Sequence, residues 1–455
     1  MESLLRRCAQ VLGDGGLLTG ADVRARTAAW GSGPCEAAAI LRPASTAELS
    51  HIMRLCHQAR QPVVAQGGRT GRSDGCVAGP REVAISLERM RRIEGIDPLG
   101  RTLTVQSGVT LQAAQQAAHG ASLLLPLDFG ARGSATIGGC IATNAGGHRV
   151  MRFGMTRNLV LGLEAVLADG RVIDCMSRVT KNNAGYDLKQ WFIGSEGTLG
   201  IVTRAVLKLS TPQHFCQTAL VAAGSFAAMT HLLQAAERRL EGRLSAFEAM
   251  WQSYYALASG GAAPPLPAHH PYYVLIESMG NDEQRDQAAF EDLLSGLMEE
   301  GHALAAVVAR SGRERERLWA IRENTAAYLA WRPVFNYDVS LPIDAMERYV
   351  DALEHALRQR WPALRMAVFG HLGDGNLHLA ISSGERRDHH AISDRVYSGL
   401  TALGGSISGE HGIGLARRDY LHYCRSPEEI AVMRAIKAAL DPHDLLNPGK
   451  VIPAA

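Results

Sequence analysis

Short apolar runs separated by glycine-rich turns dominate the stretch from residue 61 to residue 209. Runs of about four to eight residues that are bounded by turn residues predict strands. The predicted strands are Val83–Leu87, Thr102–Gln106, Leu161–Ala168, Arg171–Cys175 and Ile201–Leu209. A helix is predicted at Thr110–Ala118, with Thr110 as its N-cap. This order indicates a mixed α+β pattern and not a steady βαβ alternation.

The pattern changes around Thr211-Pro212. Segments rich in alanine, leucine and arginine follow, and their helical periodicity predicts helices at Ala227–Arg239 and Asp286–Glu300. The Gly/Pro-rich run Ser259–His270 predicts a loop. A chain of 455 residues is too long for one hydrophobic core. We therefore predict a domain boundary near Leu209–Gln213.

His371 and His378 flank a predicted tight turn in the segment VFGHLGDGNLHLAI. Asp374-Gly375 between two apolar runs is typical of a two-residue type I′ hairpin. Such a loop would pair His371 with His378, and directly opposed residues on one face have Cβ atoms roughly 5 Å apart. Two imidazoles at that separation can share a metal ion. The alternative is a pair of polar strand residues at the rim of a sheet.

Composition excludes some classes of function. The chain is 46% hydrophobic and its formal net charge is only +2, so bulk charge does not favour nucleic acid as a partner. It has no stretch of about 18 apolar residues, so we expect no transmembrane segment, and the N-terminus lacks the features of a signal peptide. The eight cysteines are scattered without a CxxC motif, which favours buried, reduced thiols. We expect a cytoplasmic protein, with a peripheral contact to the inner membrane left open.

Three glycine-rich segments stand out in the first half: Gln66–Gly75, Gly133–Gly147 and Gly194–Gly200. Clustered backbone N–H groups in such turns bind anions such as a pyrophosphate. Each segment alone is equally consistent with a tight turn in a β-rich domain. Three of them in one predicted domain favour nucleotide binding.

Familiar nucleotide and hydrolase motifs do not explain these segments. The chain contains neither GxGxxG nor GxxxxGK[ST], the fingerprints of Rossmann and P-loop sites. Residues 71–75 match GxSxG, but a nucleophile elbow requires a helix after the serine. The next predicted element is the strand at Val83–Leu87, which argues against a serine hydrolase.

The motifs PVVAQGGRTG, TIGGCIATNAGG, GSEGTLGIVT, GHLGDGNLHL, SGEHGIG and LLNPGK together resemble the FAD-linked oxidases of the vanillyl-alcohol oxidase superfamily. Within this superfamily the motifs most resemble the D-2-hydroxyacid dehydrogenases, which act on D-lactate, D-2-hydroxyglutarate or glycolate. The resemblance implies an α+β fold: a bipartite FAD-binding domain at residues 1–210, an α+β substrate and metal domain at 211–415, and a helical C-terminal segment, 416–455, that returns to the flavin.

The resemblance also implies the FAD site. The implied cofactor residues are Gln66, Gly67, Gly68, Arg69, Thr70, Gly71, Gly133, Ser134, Thr136, Gly138, Gly139, Asn144, Gly146, Gly147, Glu196, Gly197, Ile201 and Asn447. Gly67–Gly71 would hold the pyrophosphate, Glu196 would contact the adenosine half, and Asn447 would sit near the isoalloxazine. Residues 61–75 contain no histidine, so we expect non-covalent FAD. Relatives mostly read GGGTGLSGG in the first loop, where this chain has Arg69 and Arg72.

The resemblance assigns the catalytic chemistry to the second half. His371, His378 and Glu410 would bind a divalent metal, and this donor set suits zinc, or manganese less well. His411 would be the general base, because imidazole titrates near neutral pH. It would take a proton while hydride passes from substrate C2 to flavin N5, giving a 2-oxo acid. Taken alone, Glu410-His411 would instead suggest a capped loop before a helix.

Substrate residues are implied at Arg322, Asn336 and Asn376. Arg322 matches an arginine that grips a substrate carboxylate in relatives, although a surface helix charge is the alternative. Relatives that act on D-2-hydroxyglutarate carry a lysine, a threonine and an asparagine where this chain has Asn336, Ala326 and Ala380. D-lactate therefore remains a candidate beside D-2-hydroxyglutarate.

The resemblance also implies an electron acceptor, and it leaves two alternative functions open. The electron acceptor would be an electron-transfer flavoprotein, a quinone or a cytochrome, and a homodimer is left open. One alternative is a non-catalytic flavin subunit of a glycolate-oxidase-like complex, which would lack the metal ligands. Another is a non-redox flavoenzyme like the ether-lipid synthases, which would need an apolar tunnel.

Overall fold

The computed structural model describes residues 1–260 and 263–453, which form two compact units. The first unit comprises residues 1–147, 153–212 and 410–453. The second comprises residues 148–152, 213–260 and 263–409. Helices and sheets occur in both, so the predicted α+β class is confirmed. Gly261 and Ala262, in the predicted loop Ser259–His270, lie outside the described residues.

The first unit contains two sheets. A four-stranded sheet has the order β1-β2-β4-β3, with parallel pairing between β2, β4 and β3, and a five-stranded antiparallel sheet has the order β5-β6-β9-β7-β8. The strands are β1 (Leu17–Leu18), β2 (Ala39–Leu41), β3 (Val63–Gln66), β4 (Val83–Ser86), β5 (Ile93–Asp97), β6 (Thr102–Gln106), β7 (Val160–Val166), β8 (Val172–Cys175) and β9 (Ile201–Lys208). Each predicted strand of this region is present, with ends shifted by two residues at most.

Helices cover these sheets with apolar side chains. They are α1 (Glu2–Leu12), α2 (Ala21–Arg24), α3 (Thr46–Gln58), α4 (Leu111–Gly120), α5 (Ile137–Thr143), α7 (Thr156–Leu159) and α8 (Lys189–Phe192). The short helix α6 (Val150–Phe153) begins in the segment that belongs to the second unit and buries no side chain. The predicted N-cap is confirmed, since the Thr110 side chain accepts a hydrogen bond from the backbone N–H of Ala113 (3.2 Å). One core packs α4 and α5 against the five-stranded sheet, and another packs α1 and α3 against the four-stranded sheet.

The second unit is built on a seven-stranded antiparallel sheet of order β13-β10-β12-β11-β15-β16-β14. Its strands are β10 (Phe215–Ala223), β11 (Leu244–Trp251), β12 (Tyr272–Gly280), β13 (Ala305–Val308), β14 (Phe335–Ser340), β15 (Arg365–His371) and β16 (Asn376–Ser382). Its helices are α9 (Phe226–Arg239), α10 (Gln252–Ala258), α11 (Glu283–Glu299), α12 (Gly312–Arg322), α13 (Ala326–Leu329), α14 (Met346–Arg360) and α15 (His389–Thr401). The chain then returns to the first unit, where α16 (Pro427–Leu440) lies.

The two faces of the seven-stranded sheet carry different helices. Tyr254 of α10 stacks on Phe369, whose side chain lies on the same face as His371 because strand residues alternate. Phe226 of α9 instead packs on Trp251 and Tyr272. Met250 pairs with Phe369 and therefore shares its face of the sheet. Trp251 is the next residue and points to the opposite face, so α9 covers the face opposite to His371.

The predicted pairing of His371 with His378 is wrong. His371 pairs with Asn376, and His378 pairs with Phe369. The turn is longer than predicted, because Leu372–Asp374 forms a 3₁₀ turn that Gly375 closes in the left-handed region (φ 81°). The register moves by two residues, and a shift by an even number keeps a side chain on its face. His371 and His378 are therefore diagonal neighbours on one face, with ring centroids 5.4 Å apart.

The structure also bears on the predictions for the cysteines and for a transmembrane segment. Cys8, Cys35, Cys56 and Cys140 are buried, but the other four thiols are partly exposed, so the prediction of eight buried thiols is wrong. Among residues 1–260 and 263–453, no helix combines the length and the apolar character needed to cross a bilayer.

Candidate active site

The first glycine-rich loop follows β3 and lies against the second loop. A Cβ on Gly68 would lie 1.9 Å from the carbonyl oxygen of Ser134, so only glycine permits this approach of the two backbones. Gly71, in contrast, has open space where a Cβ would be. Arg69 has its Nε buried without a hydrogen-bond partner within the described part of the chain. An open backbone turn beside an unsatisfied cationic donor fits the phosphates of FAD.

The second and third loops meet through backbone hydrogen bonds. The N–H of Glu196 donates to the carbonyl of Ala142 (2.8 Å), and the N–H of Gly194 donates to that of Ile141 (3.0 Å). Thr136 caps α5 and Asn144 ends it in the left-handed region (φ 48°). All the predicted cofactor residues lie in the first unit, and the three loops that carry most of them are in contact there. The residues present therefore fit FAD.

Asn447 connects two of these segments. Its Oδ1 accepts from the N–H of Ala65 (2.8 Å), and its Nδ2 donates to the carbonyl of Glu196 (2.6 Å). Its own N–H donates to the carbonyl of Val63 (2.8 Å). The side-chain amide predicted to lie near the isoalloxazine therefore fixes the end of β3 to the third loop.

The carboxylate of Glu196 binds the turn that follows His411. It accepts hydrogen bonds from the backbone N–H groups of Ile413 (2.6 Å) and Gly414 (3.1 Å). Burial raises the pKa of this carboxyl group, and the two N–H donors oppose that rise. The predicted contact between Glu196 and the adenosine half of FAD stays a prediction. The contacts in the protein give Glu196 a second role, which is to hold the turn beside His411.

Residues 71–75, which match GxSxG, also support that turn. The carbonyl of Ser73 accepts from the N–H groups of Leu415 (2.9 Å) and Ala416 (3.1 Å). A Cβ on Gly414 (φ 51°) would lie 1.9 Å from the same carbonyl oxygen. The next strand or helix after Ser73 is β4, so the strand-to-helix geometry of a nucleophile elbow is not formed.

In the second unit, a buried carboxylate binds His371. Oε1 of Glu248 lies 2.7 Å from Nδ1 of His371, and Oε2 accepts from Nε of Arg322 (2.8 Å). The three residues are at most 5% exposed. Burial raises the pKa of Glu248, but His371 and Arg322 outweigh burial and lower it to about 2. With Nδ1 bound to the carboxylate, Nε2 is the nitrogen that His371 can offer to a metal.

Sequence reasoning missed Glu248. The signal was a lone charged residue in the otherwise uncharged strand LSAFEAMW, all of which is buried. A buried charge requires a partner, and here the partners are a predicted metal ligand and a predicted substrate residue. Arg322 therefore compensates the charge of Glu248, whereas its predicted grip on a substrate carboxylate stays a prediction.

We expect Glu248→Gln to weaken zinc binding by roughly 10–100-fold, the usual effect of changing a group that orients a metal-bound histidine. The amide cannot supply the negative charge that strengthens the imidazole as a ligand. Zinc competition against a colorimetric chelator measures the change. Glu277→Gln is the matched control, since Glu277 is equally buried but bonds Trp319 and Ser245. Equal zinc affinity in the two variants would contradict this role.

His371 and His378 lie on one face of the hairpin with ring centroids 5.4 Å apart, and Glu410 is the third predicted ligand. Glu410 follows a segment fixed to β14, where the N–H of Ser406 donates to the carbonyl of Ser340 (2.7 Å) and Ser408 Oγ donates to Asp338 (3.1 Å). Two imidazoles and one carboxylate form a set of donors that zinc prefers. These three residues therefore fit the predicted metal.

The other predicted substrate residues lie on the same sheet. Asn376 is buried and its amide donates to Asp338 (2.8 Å), so it supports the hairpin. Asn336 is exposed on β14 and pairs with Ala380, two residues beyond His378 on β16. Positions 336, 378 and 380 thus share one face of the sheet.

The segment of residues 148–152 was not predicted to join the second unit. The ring of His148 lies 5.8 Å from that of His371 and 4.8 Å from that of Trp319. Met151 lies against Gly373 in the hairpin turn. The chain that leaves the second glycine-rich loop therefore packs directly on the hairpin that carries His371, and no local sequence pattern signals this.

Comparison with known families gives two matches. Residues 37–176 match the FAD binding domain, and residues 212–451 match the C-terminal domain of FAD linked oxidases. A D-2-hydroxyglutarate dehydrogenase of Xanthomonas citri pv. viticola is 40% identical over 421 residues, 91% of this chain and 89% of that protein. The mitochondrial D-2-hydroxyglutarate dehydrogenase of Bos taurus is 38% identical over 91% of this chain and 76% of its own length.

Solved structures share the fold at lower identity. A 4-ethylphenol oxidase from Gulosibacter chungangensis superposes with a TM-score of 0.77 at 18% identity, covering 99% of this chain and 97% of that one. An alkyldihydroxyacetonephosphate synthase superposes with a TM-score of 0.76 at 16% identity, covering 98% of this chain and 84% of that one. At these identities the likeness concerns the fold alone.

Proposed function

Because the chain belongs to the FAD-linked oxidase family, we propose that it oxidises a D-2-hydroxy acid to the 2-oxo acid and passes the electrons to an acceptor other than oxygen. The predicted family and the FAD-binding fold of the vanillyl-alcohol oxidase type are confirmed, and the chain is an FAD-dependent hydroxyacid dehydrogenase. The observation that carries the proposed reaction is the pair of His371 and His378 on one face of the hairpin, with His371 held by the buried Glu248.

FAD would be held by the three glycine-rich loops and would accept the hydride of the substrate. In the first loop, Arg69 and the open backbone at Gly71 would face the phosphates. Asn447 would hold the first and third loops in place through its hydrogen bonds to Ala65 and to the carbonyl of Glu196. The binding is proposed as non-covalent.

A zinc ion, or manganese less well, would lower the pKa of the substrate hydroxyl. His371, His378 and Glu410 would hold it, and Glu248 would fix the tautomer of His371. His411 follows Glu410 in the chain and would take the hydroxyl proton. Its neighbouring turn is anchored at Ile413 and Gly414 by Glu196, which would keep the imidazole in position.

D-2-hydroxyglutarate and D-lactate are the two proposed substrates. The named activity of the relatives favours the first. The neutral side chains at Asn336 and Ala380, on the face that carries His378, favour a substrate without a second carboxylate. Arg322, Asn336 and Asn376 remain the proposed substrate residues.

Anaerobic titration tests the reaction. The flavin absorbance is followed while D- and L-forms of 2-hydroxy acids are added, with and without a chelator. Bleaching by a D-acid that the chelator suppresses is the expected result. A bound flavin that no hydroxy acid reduces would overturn the proposal and favour a non-redox flavoenzyme or an accessory subunit. The chain retains His371, His378 and Glu410, which argues against the accessory subunit.

The remaining partners belong to the same proposal. The acceptor would be an electron-transfer flavoprotein, a quinone or a cytochrome, and nucleic acid is not a proposed partner. We place the protein in the cytoplasm, with the inner-membrane surface and a homodimer as open alternatives. Turnover measured with each of the three candidate acceptors in place of an artificial dye identifies the electron acceptor.

We expect Glu196→Gln to slow flavin reduction while FAD stays bound. In the amide an NH2 group replaces one of the two oxygens that accept from Ile413 and Gly414, and an unsatisfied buried donor costs about 1–3 kcal/mol. A displacement of about 1 Å at a catalytic group can cost on the order of 10²-fold in rate. Stopped-flow reduction, FAD content and thermal unfolding are measured together. Glu94→Gln, in the same unit but paired with Arg204, is the control. Normal reduction by Glu196→Gln would remove its positioning role.

Substrate preference gives a separate prediction. We expect Asn336→Lys combined with Ala380→Asn to raise kcat/KM for D-2-hydroxyglutarate relative to D-lactate by roughly tenfold to a hundredfold. A hydrogen bond to a charged group contributes about 1.5–3 kcal/mol, and each 1.36 kcal/mol is about tenfold. Steady-state kinetics with both acids measure the ratio. An unchanged ratio would mean that these positions do not face the substrate side chain.

A further inference from the structure

A second cluster of metal-binding side chains lies in the second unit, at His231, Glu300 and His302. His231 belongs to α9, and the other two directly follow α11. Since α9 covers the face of the sheet opposite to His371, this cluster is separate from the hairpin that carries His371 and His378. Nothing in the proposed reaction uses these three residues.

The geometry of the cluster suits one ion. Nε2 of His231 lies 3.5 Å from Oε2 of Glu300, and one ligand atom from each residue lies within 4.8 Å of the others. Zinc–nitrogen bonds of about 2.0–2.1 Å allow two donors to be at most about 4.2 Å apart. The imidazole rings of His231 and His302 are stacked with centroids 3.8 Å apart, so the two rings must turn apart before both can direct a nitrogen at the ion.

The backbone fixes two of the three ligands. The N–H of Glu300 donates to the carbonyl of Gly296 (2.9 Å), and that of His302 donates to the carbonyl of Leu297 (3.0 Å). Gly301 between them adopts the left-handed conformation (φ 73°) that ends α11. Glu300 and His302 are therefore presented on the same side of the helix end, next to α9.

Arg239 orients the carboxylate. Its Nη2 donates to Oε1 of Glu300 (2.9 Å), which leaves Oε2 on the side of His231. A partner on the other oxygen is the arrangement that positions ligating carboxylates in metal sites.

We propose that His231, Glu300 and His302 bind a zinc ion that links α9 to the end of α11. Two imidazoles and a carboxylate match the preference of zinc. The side chains of His231 and Glu300 are 38% and 40% exposed, which leaves room for water as the remaining ligand. Because it joins two helices of one unit, this ion stabilises the folded chain and takes no part in turnover.

Zinc stoichiometry tests the site. The FAD-loaded protein and its variants are equilibrated at a fixed free zinc concentration and desalted, and zinc and protein are then measured. We expect two zinc ions per native chain, one in His302→Gln, one in His378→Ala, and none in the double variant. His390→Gln, an exposed histidine beside Asp394 on α15, keeps both. His302→Gln keeps normal turnover.

A thermal measurement supplies the second readout. In the His378→Ala background, added zinc raises the melting temperature by about 2–4 °C or more, and the further change His302→Gln abolishes this rise. Retention of both ions by His302→Gln would overturn the second site. A native chain with a single ion that disappears in His378→Ala would overturn it as well. Retention of both ions by His378→Ala alone would instead overturn the hairpin site and leave this one standing.

Discussion

His411→Ala is expected to keep its flavin and its metal but to reduce the flavin about 10²–10⁴-fold more slowly, the usual contribution of a general base. The side chain is proposed to take the hydroxyl proton of the substrate as the hydride leaves C2. Without it, water must take the proton in a less favourable geometry. FAD is bound by other residues, and the proposed ligands at residues 371, 378 and 410 are unchanged.

Stopped-flow absorbance under anaerobic conditions measures this effect as a first-order rate constant at saturating substrate. A base also leaves a signature in the pH profile, since the acidic limb of the native rate should be lost in the variant. His422→Ala is the matched control, because His422 is an exposed histidine of the same C-terminal segment. A near-normal rate constant, or an unchanged acidic limb, would remove His411 as the base.

The strands and helices could be predicted where one local pattern dominates. β6 lies at the predicted residues 102–106, and α4 begins after the predicted cap Thr110. A short apolar run bounded by turn residues and a capping side chain depend only on nearby residues, so the sequence displays them directly. The predicted register of the hairpin was wrong because it depends on more than the local pattern. Asp374-Gly375 signals a turn, but whether the turn closes over two residues or four depends on how Leu372 packs in the core.

The sequence predicted the proposed metal ligands of the candidate site but not the residues that hold them in position. His371, His378 and Glu410 belong to motifs that can be compared between proteins. Glu248 lies 123 positions from His371 in the chain and meets it only because β11 and β15 are neighbours in the sheet. Glu196 and Ile413 are separated by 217 positions. Contacts at such separations follow from topology, which the local pattern does not contain.

His378→Ala is expected to remove the zinc ion held by the hairpin and to abolish most of the activity. His378 is a proposed ligand, so its loss should weaken binding by more than the roughly 10–100-fold expected of a residue that only orients a ligand. Without the ion the substrate hydroxyl keeps its ordinary pKa. Loss of several kcal/mol of charge stabilisation corresponds to a rate lower by on the order of 10²–10³-fold, since about 1.36 kcal/mol is tenfold.

The decisive readout for His378→Ala is the combination of metal content and flavin reduction. Its zinc content should fall by one ion per chain while FAD content stays close to native and the chain stays folded, because His378 is half-buried near the start of β16 and not part of the core. His355→Ala, on the exposed side of α14, controls for the loss of any histidine. Full zinc occupancy with impaired reduction would make His378 a substrate residue and not a ligand. Full occupancy with normal reduction would mean that the two imidazoles, although 5.4 Å apart, do not form the catalytic site.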